Sequence, residues 1–309
     1  MNAVEAFSFI STVTSSNHSP DLSYFRGVNC IAESGSTKTI WVFLEGDQEY
    51  IRVESIGLNP FFVDVAEVEQ VATEVGAKAG VEELDTVHFY GSGCSSPDRN
   101  RRIADGLNLA WQAKSVNVYH DLLAAARAAC QTQSGIVGIL GTGSNSCVYD
   151  GSDITDNIPA MGFIIGDEGS GTSIGRRLLQ AWAYREMESH ISAAFELKFE
   201  LTKEKALHAL YYESKPNRFL ASLAAFCADH RKEPLIQGIL HDSFTEFVRR
   251  HIMKYQGSSR LPIHFIGSIA FYYRSTLEAV LQENGLKLGA IIQSPINALV
   301  KFHVTNEVG

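Results

Sequence analysis

A chain of 309 residues exceeds what one hydrophobic core ordinarily supports, so two domains are the natural expectation. A net charge of −9 with no run of Lys or Arg argues against nucleic acid or an anionic membrane as the main partner, though not against a nucleotide held by local N–H groups. Five cysteines, odd in number and without a CxxC pair, point to a reducing, cytoplasmic setting and away from structural zinc or a disulfide framework, and no apolar run reaches membrane-spanning length.

Residues 1–27 are rich in Ser, Thr and Asn and lack the Lys/Arg of a secretory signal, so a disordered or loosely docked extension is expected. From Val28 the pattern is regular. Strands are predicted over residues 28–32, 40–44 and 50–55, then an amphipathic helix over 64–78 and a strand over 86–90. A helix over 97–110 has Ser96 as its N-cap and Pro97 in its first turn. A strand at 115–119 runs into an Ala-rich helix at 122–131. The order then restarts, with strands at 136–140 and 147–149, a third strand, and helices from Asp167 onward. Residues 186–255 are almost all helical in pattern; a strand at 263–266 ends in Gly267-Ser268 and precedes a helix over 271–284. Alternating strands and helices imply an α/β sheet with helical crossovers, and a repeated βββαβαβα order is what internal duplication produces.

Two glycine- and hydroxyl-rich turns stand out within this frame. Glu33-Ser34-Gly35-Ser36-Thr37-Lys38-Thr39 joins the first two strands, and Gly141-Thr142-Gly143-Ser144-Asn145 joins the corresponding pair of the second half. Glycine lets the backbone approach a ligand closely, and successive N–H groups with Ser/Thr hydroxyls form an anion-binding concavity. Ordinary hairpin turns use the same residues. Two at similar depth in two similar halves point to a nucleotide phosphate chain held between two lobes.

Acidic residues follow strands where an α/β fold places function. Asp121 follows the strand at 115–119, and Asp167-Glu168-Gly169-Ser170-Gly171 follows the apolar run at 163–165. Each also fits a helix N-cap or a first-turn acid facing the helix dipole. Asn59-Pro60 and Gly91-Ser92-Gly93 are further turn ends open to a small polar ligand, or simply turns. There is no GxxxxGK[ST], no GxGxxG between a strand and a helix, and neither HRD nor DFG, which excludes a P-loop, a Rossmann site and a protein kinase.

From about Val28 to His303 the chain resembles the ATPase superfamily of sugar kinases, actin and Hsp70, and within it the BadF/BadG/BcrA/BcrD group that includes N-acetylglucosamine kinase. The turns at 33–39 and 141–145 resemble its two phosphate motifs, and Ile263-His264-Phe265-Ile266-Gly267-Ser268 its adenosine motif. Gly166-Asp167-Glu168-Gly169-Ser170-Gly171 and Ile56-Gly57-Leu58-Asn59-Pro60 resemble fingerprints of the subgroup. The resemblance implies a duplicated actin-like ATPase fold of two ribonuclease H-like lobes with ATP and sugar in the cleft between them. It implies a first lobe over 28–121, joined by a C-terminal helix near 294–305, a second lobe over 122–293, and a homodimer through the second lobe.

By the same resemblance Asp121 is the catalytic carboxylate, and Gly35, Ser36, Thr37, Lys38, Thr142, Gly143, Gly267 and Ser268 contact ATP. Asn59, Ser144, Asn145, Met161, Gly162 and Asp167 contact the sugar or shape its pocket. Glu33 takes the acidic position of the first phosphate motif and suits a magnesium ion held largely through water. N-acetylglucosamine kinases carry Trp where this chain has Met161, so the resemblance also leaves glucosamine and N-acetylmuramic acid as substrates. The expected reaction is phosphorylation of an amino sugar, most simply N-acetylglucosamine, with Asp121 orienting the hydroxyl and accepting its proton. Relatives in the group are also ATP-driven dehydratase activators that bridge an iron–sulfur cluster through cysteines, a use the cysteine spacing here disfavours. A sugar sensor without turnover is the third class.

Overall fold

A computed structural model describes residues 28–35 and 37–307; the N-terminal extension expected over 1–27 and the ATP contact expected at Ser36 lie outside the described residues. The first sheet begins with an antiparallel meander, β1 (Val28–Ser34), β2 (Lys38–Glu45) and β3 (Gln48–Ile56). Helix α1 (Val65–Ala79) leads to β4 (Thr86–Gly91), which joins parallel to β1, and α2 (Pro97–Trp111) leads to β5 (Ser115–His120), which joins parallel to β4. The strand order is β3-β2-β1-β4-β5.

Helix α3 (Asp121–Cys130) then opens a second copy of the plan. Strands β6 (Gly135–Leu140), β7 (Ser144–Tyr149) and β8 (Ile154–Asp156) form another antiparallel meander. A helical stretch follows, α4 (Gly162–Ile165), α5 (Gly171–Ala183), α6 (Ser189–Phe199), α7 (Lys203–Tyr211), α8 (Pro216–Leu223), α9 (Phe226–Asp229) and α10 (Pro234–Arg250). The chain returns through β9 (Ile263–Ile266), α11 (Ser268–Tyr272), α12 (Arg274–Glu283) and β10 (Leu288–Ile292), and finishes on α13 (Ile296–Glu307). The second sheet runs β10-β9-β6-β7-β8 with β6 and β9 parallel, so both sheets share one topology.

The apolar run of β2 shows why the layers stack. Side chains alternate faces along a strand. Trp41 and Phe43 face one way, packing edge-on against Trp111 of α2 at 5.5 and 5.9 Å between ring centroids. Ile40, Val42 and Leu44 face the other way, into a core shared with α3, α13 and the inner face of the second sheet. Helix α3 is therefore covered on both sides, and its Ala124, Ala125, Ala126 and Ala128 are buried. Small side chains let a helix lie between two sheets without forcing them apart.

Four local features depart from the sequence reading. The N-cap of α3 is His120, whose Nδ1 lies 3.0 Å from the Leu122 N–H, so Asp121 is the first helical residue rather than the cap. Helix α5 starts at Gly171 under a Ser170 cap, which leaves Asp167 and Glu168 in the preceding turn instead of the first turn of a helix. Ser96 occupies the N-cap position of α2, but its hydroxyl accepts the Arg99 Nε–H at 3.0 Å and caps nothing. The helix expected over 271–284 is broken at Tyr273, whose hydroxyl is drawn 2.7 Å from the Ala224 carbonyl oxygen.

Candidate active site

The two hairpins face one another across a cleft of about 590 Å³. In the first, the Gly35 N–H donates to the Lys38 carbonyl at 3.0 Å and closes the turn. The Ser34 hydroxyl accepts the Leu58 N–H at 2.9 Å, and the Thr39 hydroxyl donates to the Ile56 carbonyl at 2.9 Å, fixing the hairpin to the chain that follows β3. In the second, the Gly141 N–H donates to the Gly143 carbonyl at 3.0 Å. The Gly171 and Thr172 N–H groups donate to the Gly141 and Thr142 carbonyls at 2.9 and 3.1 Å, so the first turn of α5 holds the loop. The Ser92 and Gly57 N–H groups donate to the Ser34 and Thr37 carbonyls at 3.0 Å, so both loops are held in part through carbonyls. With the Gly35 and Gly141 N–H groups closing their own turns, it is the other N–H groups of each loop that can turn toward an anion.

Between the hairpins sits Asp121. Its Oδ2 accepts the Ser92 hydroxyl at 2.7 Å, and its Oδ1 lies 2.9 Å from His120 Nδ1. Burial opposes ionisation of this carboxyl, but the hydrogen bond and charge of His120, aided by Ser92 and the Leu122 N–H, hold it below the usual carboxylate range. Glu33 behaves in the opposite way. Desolvation in the cleft wall and the negative charge of Asp121 push its carboxyl up to about 7, with Lys38 pulling against them. A cation would relieve that strain. Among the described residues no group of three or more His, Cys, Asp or Glu could hold a metal ion, and magnesium needs only one or two carboxylates beside waters and nucleotide phosphates. Glu33 fits that pattern.

Asp167 lies at the other end of the cleft, in the left-handed region at φ +61° and nearly buried. Its Oδ1 accepts the Ser144 N–H at 3.1 Å, and its carbonyl accepts the Ser170 hydroxyl at 2.6 Å. Burial, with some help from Glu168, raises its carboxyl above the usual value although Ser144 opposes this. Non-glycine residues held at positive φ concentrate at functional sites. The neighbouring Glu168 turns inward, 3.3 Å from His251 Nε2 and 3.5 Å from Arg250 Nε.

Of the residues singled out from the sequence, Glu33, Gly35, Thr37, Lys38, Asp121, Thr142, Gly143, Ser144, Asn145, Asp167, Gly267 and Ser268 all line the cleft. At Gly267 the backbone adopts φ +120°, and a Cβ there would run into the Leu140 carbonyl, so only glycine brings β9 this close to the second hairpin. Three do not line it. Asn59 lies beside Gly93 and accepts the Phe61 N–H through its own Oδ1 at 2.9 Å. Met161 is 61% exposed, and Gly162 begins α4 at φ +71°. Ser92, from the turn at 91–93 that the sequence left open as a ligand site or a plain turn, also lines the cleft, as do His120, Asn217 and the 293–295 turn, which the sequence did not mark as site residues. His120 adjoins Asp121 and could have been noticed. Asn217 arrives from α8 only because that helix packs against α5, and no local pattern announces it.

Two sheets of one topology around a cleft made by their facing hairpins define the two-lobed, actin-like ATPase fold. The chain belongs to the BadF/BadG/BcrA/BcrD ATPase family, whose sequence profile matches residues 33–299. It is similar to a structure from Porphyromonas gingivalis that carries the name "Putative N-acetylglucosamine Kinase", with 36% identity over 91% of this chain and 100% of that one and a TM-score of 0.86. A protein of the same name from Chromobacterium violaceum shares the fold at 18% identity, with 89% and 98% coverage and a TM-score of 0.71. A ROK family glucokinase from Streptomyces griseus, in complex with glucose and AMPPNP, shares it more distantly at 11% identity, with 92% and 100% coverage and a TM-score of 0.52. No curated protein sequence matches the chain.

Proposed function

We propose that the protein is an ATP- and magnesium-dependent kinase of an amino sugar, converting N-acetylglucosamine to N-acetylglucosamine 6-phosphate. Glucosamine and N-acetylmuramic acid are the alternative acceptors. The observation that carries this reading is the placement of Asp121 between two phosphate-type hairpins that face each other across one cleft. The similarity to the Porphyromonas gingivalis protein supports the amino sugar in particular.

Phosphoryl transfer asks for in-line positioning, neutralised phosphate charge and exclusion of water more than for covalent chemistry. Backbone N–H groups of the turns at 35–38 and 141–143 would cradle the phosphates, and Gly267 and Ser268 would bound the nucleoside. Magnesium, held by Glu33 largely through water, would supply charge neutralisation at the β- and γ-phosphates. Asp167 and Asn145 would hold the sugar so that its primary hydroxyl meets Asp121. Asn59, Met161 and Gly162 would reach it once the lobes, assigned to 28–121 with the C-terminal helix and to 122–293, close on the substrate. A homodimer through the second lobe is part of the same proposal.

The test is ADP release with magnesium-ATP across N-acetylglucosamine, glucosamine, N-acetylmuramic acid, N-acetylmannosamine and glucose, beside a no-sugar control. Release that depends on one amino sugar establishes the kinase and names its acceptor. Sugar-independent hydrolysis, or none, sinks the proposal and returns the dehydratase activator or the sensor.

A further inference from the structure

We propose that His120 is a positioning residue that receives, through Asp121, the proton withdrawn from the sugar hydroxyl and holds it until it escapes to solvent. The proposal rests on the phosphoryl-transfer reading of the same cleft.

It begins from two contacts made by one atom. His120 Nδ1 lies 2.9 Å from Asp121 Oδ1 and 3.0 Å from the Leu122 N–H. An imidazole nitrogen has one in-plane valence, filled by either a lone pair or a proton. It cannot accept from Leu122 and donate to Asp121 at once. The two contacts therefore belong to two states of Nδ1. With the ring proton on Nε2 alone, Nδ1 accepts the Leu122 N–H and caps α3. With a proton on Nδ1, in the other neutral tautomer or in the imidazolium, Nδ1–H donates to Asp121 Oδ1, and the Leu122 N–H is left to the Asp121 carboxylate, which also lies within its reach. Neither state requires a side chain to move far, so the site is built to alternate.

The transfer then balances as follows. The sugar oxygen bonds to the γ-phosphorus as the bond from that phosphorus to the β,γ-bridging oxygen breaks, its electron pair leaving on ADP. The hydroxyl proton passes to the Asp121 carboxylate and on from Oδ1 to the free Nδ1 of His120. The products of the proton step are a carboxylate and an imidazolium. The His120 side chain is 30% exposed, which allows the proton to leave for water.

The local fields agree with the direction of travel. Burial disfavours a charged His120, but the hydrogen bond and charge of Asp121 outweigh it and lift the ring above its ordinary value. Asp121, with a hydroxyl on one oxygen and the imidazole on the other, is depressed and retains a proton poorly. Of the two groups, the imidazole is therefore the better resting place for the proton. The other charged groups facing the pair are Arg99 of α2, which opposes charge on His120, and Glu33 and Lys38 of the first hairpin across the cleft.

The experiment has two arms. In the first, kcat for the amino sugar found to be phosphorylated is measured against pH for the wild type and His120→Asn, which keeps an N-capping side chain at that position. The wild type loses kcat as pH falls through the histidine range, because a protonated ring cannot receive another proton. His120→Asn lowers kcat about 10–100-fold at pH 8, leaves both KM values within about threefold, and lacks the near-neutral acid limb. Wild-type kcat with an unchanged limb in the variant overturns the proposal. In the second arm, NMR of histidine-labelled protein follows the His120 ring against pH in the wild type and in Asp121→Asn. The midpoint falls by about one unit or more on removing the carboxylate; an unmoved midpoint overturns the pairing. The second arm needs no turnover, so it judges the pair even if no sugar proves to be a substrate, and it stands in for the first arm if His120→Asn does not fold.

Discussion

The Asp167 carboxylate accepts the backbone N–H of Ser144 at 3.1 Å and so ties the turn before α5 to the second hairpin. The tie depends on the residue between Thr142 and Ser144 having no side chain. A Cβ on Gly143 would stand 2.9 and 3.1 Å from the two Asp167 carboxylate oxygens, the first closer than real Cβ contacts allow and the second tight enough to push the carboxylate aside.

Gly143→Ala therefore displaces Asp167 without backbone strain, since Gly143 is not at positive φ. The expected result is a sugar KM raised about tenfold or more, the cost of roughly one misplaced hydrogen-bonding group. Gly141→Ala is the contrasting variant, because a Cβ there meets nothing within 4 Å. Its sugar KM stays at the wild-type value, and steady-state kinetics with the phosphorylated sugar compares the two.

Asp121→Asn keeps the shape of the side chain and removes the proton acceptor. Turnover falls about 10²–10⁴-fold while the affinity for magnesium-ATP stays within about threefold. Single-turnover assays beside nucleotide titration check the split. Retained turnover removes Asp121 from the base role.

Glu33 sets a pH dependence of different form from that of His120. Its carboxyl titrates at about 7, so it is neutral below that pH and charged above it. Holding a magnesium–nucleotide complex requires the charged form. The KM for magnesium-ATP accordingly falls as pH rises through 7, and Glu33→Gln abolishes that dependence. Because the folded-state value lies above the ordinary 4.5, the stability favoured by the neutral form is full below 4.5 and is lost as pH rises to about 7. Thermal melts of the ligand-free protein at pH 5 and 8 report this as the part of the pH dependence that Glu33→Gln loses relative to the wild type.

Helices α5 and α8 lie in contact at Gly175, where a Cβ would collide with the Leu220 carbonyl. Gly175→Ala must force the helices apart and should cost about 1–3 kcal/mol of stability. Denaturant unfolding measures the loss. A variant as stable as the wild type would show that the two helices do not meet there.

Much of the fold was legible because it is written in local pattern. Short apolar runs made β1, β2 and β6 visible, and their burial is nearly continuous; the amphipathic pattern over 64–78 marked α1, which the structure closes with an Asp64 capping box and a left-handed Gly80. Strand β10 went unforeseen, since five residues of mixed burial carry little periodicity. The break at Tyr273 was hidden for another reason: it answers to a carbonyl 49 residues away, not to a neighbour.

The candidate site divides along the same line. The sequence by itself determined the two glycine turns, the strand-end acids Asp121 and Asp167, and the repeated strand order, because turns, caps and alternation are set by residues close in the chain. Only the tertiary structure decided that the turns face one cleft, that His120 rather than Asp121 caps α3, that Asn217 enters from α8, and that Met161 stands outside. The facing of the turns depends on two sheets closing on α3 and α13 from opposite sides, and the arrival of Asn217 on α8 packing against α5; such closure is a matter of packed surfaces that no short stretch of sequence contains.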